Sequence, residues 1–151
     1  MKRFNETHQP ITALFWLGLA LLSIAAAAAQ DTYSTNNVRD LVRRVEDRTD
    51  EFRKAVDKFL DRSRLDGSKL EDDLNAVVKR FEKATNTLRR KSDRMAGYQE
   101  VREEVNEVVS RGREVNVIIK GGKWDSNIKS RWNRLRAAIN ELGRAYRTPR
   151  I

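Results

Sequence analysis

Apolar residues recur along most of the chain at alternating steps of three and four. The most regular run is the last: Trp124, Ile128, Trp132, Leu135, Ile139, Leu142 and Tyr146, a spacing that puts all of them on one face of an α-helix. An earlier stripe comprises Val38, Val42, Val45, Thr49, Phe52, Val56, Phe59 and Ser63, widened by Leu41, Ala55 and Leu60. Leu70, Leu74, Val77, Phe81, Ala84 and Leu88 make a second, with Val78 and Thr85 beside it. Met95, Tyr98, Val101, Val105, Val108, Gly112, Val115 and Ile119 make a third. No such stripe can be buried by its own helix, so each needs partners. Four segments of similar length joined by short loops predict an all-α fold, an antiparallel up-down-up-down four-helix bundle with helices at about 38–63, 69–91, 95–120 and 125–147. The near-heptad spacing also predicts coiled-coil-like packing. The alternative is a longer two-helix hairpin that buries its stripe by dimerising.

Local punctuation supports the four-helix reading. Asn37 is a plausible N-cap, with Asp40 in the favoured first turn. The Asp66-Gly67 pair is a turn signal, and Ser68-Lys69-Leu70-Glu71 fits a capping box. Gly121-Gly122 stops the third helix, and Asp125 or Ser126 caps the fourth. The third helix carries two contrary signals. Gly97 and Gly112 each cost about 1 kcal/mol relative to alanine in a helix, and Val115–Ile119 has strand propensity. Its helical spacing persists through both glycines, and no second strand is at hand to pair with it.

The first 29 residues break this pattern. Lys2 and Arg3 precede an uncharged apolar run, Ile11–Ile24, and then the small residues Ala25–Ala29. This is the layout of a secretory signal peptide, with cleavage after the Ala27-x-Ala29 pair and a mature start at Gln30. The rival reading is an uncleaved anchor, for which the apolar run is near the lower length limit. The domain plan is therefore a signal peptide over 1–29, a disordered lead over 30–36 and a helical domain over 37–148. Such a protein is expected to be exported, periplasmic or extracellular, and to meet the membrane only through its signal peptide.

Residue types missing from the chain narrow its chemistry. Cysteine is absent, and the single histidine, His8, lies in the leader. Ser-His-Asp and Cys-His systems, histidine- or thiolate-bound zinc, haem and Glu-x-x-His di-iron sites are thereby excluded from residues 30–151. Gly121-Gly122 lacks the lysine and the strand of a phosphate loop. Glu71-Asp72-Asp73 and Glu103-Glu104-Glu107 are carboxylate groups without the alternating spacing of a calcium loop. No catalytic residue, no metal and no cofactor is expected, and the protein is read as non-enzymatic.

Charge carries the remaining signal. The whole chain is +9, and loss of Lys2, Arg3 and Glu6 with the leader brings it to +8. Residues 123–151 hold eight basic residues against Asp125 and Glu141, whereas residues 95–122 hold four basic and five acidic. The candidate anion-binding residues are Lys129, Arg136, Arg144 and Arg147, joined by the cluster Arg89-Arg90-Lys91-Arg94. A competing reading is a soluble arginine-rich surface partly neutralised by the acidic third helix. Partners would be an anionic envelope component or an acidic protein. Nucleic acid is disfavoured outside the cytoplasm, and the protein would be a monomer or a homodimer.

The Asp61-Arg-Ser-Arg-Leu-Asp-Gly-Ser68 turn and the closing W-x-x-L-x-x-x-I-x-x-L-x-x-x-Y of 132–146, together with the signal peptide and heptad spacing, resemble small exported helical-bundle proteins of bacteria with no assigned activity. That resemblance implies a bundle and no chemistry. The chain is also loosely similar in size, basicity and helicity to Spy-type periplasmic chaperones, without their Leu-Thr-x-x-Gln repeats. The combined expectation is an exported structural or interaction module. Its alternative is a chaperone-like or anionic envelope-binding protein that uses a basic C-terminal helix.

Overall fold

The computed structural model describes residues 35–94 and 98–151. The predicted signal peptide, its cleavage site at Ala27, Ala29 and Gln30, and most of the predicted lead lie outside the described residues. What is described is all-helical: α1 (Thr35–Leu60), α2 (Lys69–Asp93), α3 (Tyr98–Gly121) and α4 (Ser126–Ala145). Each helix lies alongside two others in a closed ring, α1 with α2, α2 with α3, α3 with α4, and α4 with α1, and across the diagonal α2 and α4 meet through the side chains of Phe81 and Trp132. The long two-helix hairpin is therefore not what forms.

Several helix boundaries have a local cause. The described chain is already helical at Thr35, so Asn37 lies inside the first turn rather than capping it, and residues 35–36 are not a disordered lead. Helix α1 ends at Leu60 instead of Ser63 because the Ser63 hydroxyl donates to the Leu60 carbonyl and accepts from the Leu65 N–H, at 2.9 and 3.0 Å. These side-chain bonds replace the next helical turn. The turn closes at Gly67, whose φ of +72° suits a residue without Cβ. Ser68 caps α2 by accepting from the Glu71 N–H at 3.2 Å. The Glu71 carboxylate reaches back to the Gly67 N–H at 2.7 Å, one residue earlier than a standard capping box. Helix α4 starts from Asp125, which accepts from the Ile128 N–H at 2.7 Å.

Helix α3 runs unbroken through Gly112 and Val115–Ile119. Gly112 is buried, and a Cβ there would collide with the side chain of Ile151, so the missing side chain makes room for the end of the chain. At the end of α4 the N–H groups of Thr148 and Arg147 bond the carbonyls of Gly143 and Arg144, at 2.9 and 3.2 Å. This is a Schellman ending, with Arg147 at φ 54° in the left-handed position that glycine usually fills. It stops α4 at Ala145, two residues before the predicted end.

The stripes meet in a core. Val42, Val45, Phe52, Val56, Phe81, Leu88, Val105, Ile128, Leu135, Ile139 and Leu142 are completely or almost completely buried. Trp132 is 1% exposed and links all four helices. Its ring lies 5.4 Å from that of Phe52 on α1 and 6.1 Å from that of Phe81 on α2, in tilted and edge-on arrangements. Such pairs add about 0.5–1.5 kcal/mol beyond area burial. Its indole N–H donates to Asn116 Oδ1 on α3 at 3.0 Å. The buried hydroxyls of Thr49 and Thr85 donate to carbonyls of their own helices, so neither leaves an unmet donor. One stripe residue departs from expectation. Leu70 is 53% exposed, at the edge of the core rather than inside it.

Candidate anion-binding surface

Ion pairs cross three of the four seams between neighbouring helices. Arg53 reaches Glu82 and Arg89 reaches Glu46 between α1 and α2, at 2.7 and 3.1 Å. Lys91 pairs with Glu104 and Arg80 with Glu114 between α2 and α3, at 2.6 and 4.0 Å. Arg44 pairs with Glu141 and Arg131 with Glu51 between α1 and α4, at 3.2 and 3.0 Å. Among the described residues, no ion pair crosses from α3 to α4. That seam is also the least extensive of the four.

The sequence of α3 explains the difference. Arg102, Asn106, Val109, Arg113, Asn116 and Lys120 follow one another by steps of four and three, so they share one edge of the helix. That edge faces α4, because Asn116 accepts from Trp132 and Arg113 donates to the Arg150 carbonyl of the segment that follows α4. The acids of α3 lie on its other sides. Glu104 and Glu114 pair with cations of α2, and Glu107 and Glu114 hold Arg111 at 2.7 and 2.8 Å. On α4, Lys129, Asn133, Arg136, Asn140 and Arg144 form the opposing edge at the same spacing. Asn140 accepts from the Ile151 N–H at 2.9 Å, which ties the last residues to this side of the helix.

Two edges of basic residues and asparagines thus line one seam. Arg102, Arg113, Lys120, Lys129, Arg144, Arg147 and Arg150 are exposed and Arg136 is half-buried. From Arg102 to Lys120 the strip runs about 27 Å at 1.5 Å per residue, roughly three Debye lengths at physiological salt. Cations so arranged repel one another. A multivalent anion laid along the seam relieves that repulsion, and a single small anion relieves little of it.

The structure puts the predicted residues Lys129, Arg136 and Arg144 on one edge of α4 and Arg147 in the turn beyond its end, and adds Arg102, Arg113 and Lys120 from α3. It corrects two expectations. Helix α3 does not neutralise α4, because its acids face elsewhere. The cluster Arg89-Arg90-Lys91-Arg94 does not join the strip either. It sits at the end of α2, which shares no seam with α4, and Arg89 and Lys91 are engaged by Glu46, Asp93 and Glu104. The hydrogen bond from Lys91 to Glu104 pushes the ammonium pKa up. The missed arginines had a readable signal in the four-three row from Arg102 to Lys120. It was hidden because the net charge of residues 95–122 cancels when summed along the chain instead of around the helix.

Four of the six candidate hard-cation carboxylates, Glu71, Asp73, Glu104 and Glu107, have other occupations. Glu71 caps α2, and Asp73 pairs with Lys69 at 2.8 Å. Glu104 and Glu107 bind Lys91 and Arg111. No helix among the described residues is long and apolar enough to cross a membrane. Comparison with protein-family models, curated proteins and solved structures gave no match to this chain.

Proposed function

We propose that this protein is an exported, non-enzymatic interaction module that binds an extended polyanion of the cell envelope along the α3–α4 seam. The observation that carries the reading is the charge placement on α3, with Glu104 and Glu114 paired toward α2, Arg111 held by Glu107 and Glu114, and Arg102, Arg113 and Lys120 on the edge toward α4, in a fold whose other three seams are bridged by ion pairs. Export rests on the basic start, apolar run and Ala27-x-Ala29 site of the leader.

The helices are arranged up-down-up-down. Support comes from the order of partners across each seam. Rising along α1 through Arg44 and Glu51 meets α4 at Glu141 and then Arg131. Rising through Glu46 and Arg53 meets α2 at Arg89 and then Glu82. Arg80 and Lys91 meet α3 at Glu114 and then Glu104. Gly112 and Asn116 approach α4 at Ile139 and Trp132. In this arrangement the strip runs along the bundle, with Arg150 and Ile151 seated on it near Gly112, Arg113 and Asn140.

Capture of unfolded chains is the second reading, and the burial of all the α4 stripe residues disfavours it. The test is binding of the full chain to a heparin-like polymer and to anionic vesicles at two ionic strengths. Binding that weakens steeply with salt supports the proposal, and the preferred probe separates polysaccharide from lipid head groups. Failure to bind either at low salt ends it.

A further inference from the structure

At the bundle end formed by the α1–α2 and α3–α4 loops, the chain encloses an open cavity of about 670 Å³. Phe59, Leu65, Leu74, Ile118 and Trp124 supply its apolar walls. Leu70 and Val117 form its rim. These two are the large hydrophobic residues left exposed among the described residues, at 53% and 71%. Single exposed apolar side chains are ordinary on protein surfaces. Here both converge on one concavity, which is how small-molecule sites are built, in a size range of about 300–1,000 Å³.

The polar atoms of the Trp124 and Ser63 side chains are already used. The indole N–H of Trp124 donates to the Ile118 carbonyl at 3.1 Å, so the ring turns only hydrocarbon toward the cavity. The Phe59 ring lies 5.3 Å from it, tilted, as the adjoining wall. The Ser63 hydroxyl is occupied within the turn by Leu60 and Leu65. Gly122 keeps the indole in place, since a Cβ there would collide with its Nε1 and Cδ1 atoms. The charged side chains at the cavity are Arg64 and Lys123, both exposed, and no acid lines it.

From this combination we infer that the cavity binds a single-chain anionic amphiphile, its hydrocarbon tail against Trp124 and Leu74 and its head group between Arg64 and Lys123. The charge pattern is complementary to one negative head group on an apolar tail. It opposes a second copy of the chain, because self-association would press like cations together and burying about 800 Å² per partner needs a broader apolar face than two rim residues. The site is independent of the α3–α4 strip and stands or falls separately.

The experiment titrates the full chain with laurate below its micelle concentration, reading tryptophan emission and calorimetric heat, with dodecanol as the uncharged counterpart. Saturable one-to-one laurate binding is expected. Val117→Asp places a carboxylate on the rim at an exposed position, and circular dichroism should show its helicity unchanged. Laurate affinity should fall at least about tenfold in this variant. Because the N-terminal apolar run is present in both proteins, the difference between them reports the cavity. Arg64→Glu with Lys123→Glu should weaken laurate several-fold and leave dodecanol unchanged. No saturable binding, or equal binding to wild type and Val117→Asp, overturns the inference. So does a wild-type dimer in sedimentation that Val117→Asp dissociates, since that assigns the rim to a second copy.

Discussion

The indole N–H of Trp132 donates to Oδ1 of Asn116 across the α3–α4 seam at 3.0 Å. Trp132 is buried against Phe52 and Phe81, so this bond fixes how deep the ring sits and which edge of α3 turns toward α4. Removing the ring should be costly. Trp132→Ala is expected to destabilise by about 3–5 kcal/mol through lost burial and the cavity left behind. Asn116→Ala leaves a buried donor unmet and should cost about 1–3 kcal/mol. A double-mutant cycle with Trp132→Phe should show coupling near 1 kcal/mol in urea unfolding. Additive losses would mean that the bond contributes nothing.

Two glycines close to side chains should respond oppositely to alanine. At Gly112 the new Cβ meets the far end of the Ile151 side chain, which can swing away. The helix-propensity gain of about 1 kcal/mol then offsets lost packing, and Gly112→Ala should be within about 1 kcal/mol of wild type. At Gly122 the new Cβ meets the Trp124 ring and the Ile118 carbonyl, which are held by their own hydrogen bond. Gly122→Ala should be clearly destabilising in thermal unfolding and should shift Trp124 emission. Equal effects at the two sites would contradict the packing described for Ile151 and Trp124.

Arg147 occupies the left-handed ending of α4 at φ 54°. A left-handed conformation costs a residue with Cβ about 1–2 kcal/mol, so Arg147→Gly should raise stability by roughly 1 kcal/mol, and Arg147→Ala should not. The glycine variant should also bind polyanion less well. Stability and binding then move in opposite directions at one residue, as they would if the arginine is kept for its charge.

Glu46 gives a pH-dependent test. Partial burial raises its pKa above 4.5 despite the Arg89 guanidinium nearby, with Asp50, Asp47 and Asp93 adding to the rise. A carboxyl whose pKa is higher when folded contributes stability that is full below about 4.5 and is lost as pH rises through the folded value. Glu46→Gln removes that loss and keeps an acceptor for Arg89. The variant should match wild type at low pH and be equal or more stable at pH 7, by under about 1 kcal/mol. A variant clearly less stable than wild type at pH 7 would show that the ion pair with Arg89 outweighs the desolvation.

The four helices were legible in the sequence because burial acts on one face at a time, and the three-four spacing of Val42 to Val56 or Ile128 to Leu142 records that face directly. Ser68 and Asp125 were legible because an N-cap needs a short acceptor side chain at one fixed position. The end of α1 was not, since the Ser63 hydroxyl that terminates it looks like one more stripe position. Leu70 was misplaced for a related reason. The spacing continues past the point where neighbouring helices stop covering it. Half of the basic strip is invisible in the charge of each segment, because Glu104 and Arg113 act on opposite neighbours of the same helix. Asn116 had no sequence signal at all. Its role exists only because Trp132 arrives from α4.

On the proposed function, the placement of charge on the α3–α4 seam, rather than the net charge of the chain, creates the binding surface. Two triple variants with identical net charge test it. One reverses Arg102, Lys129 and Arg144 to glutamate on the seam, and the other reverses Lys54, Lys58 and Lys79, exposed cations of α1 and α2. Affinity for a heparin-like polymer is measured for both at low salt. The seam variant should lose at least about tenfold more affinity than its counterpart, with a shallower salt dependence. Equal losses in the two variants would show that only total charge matters, and would contradict the account.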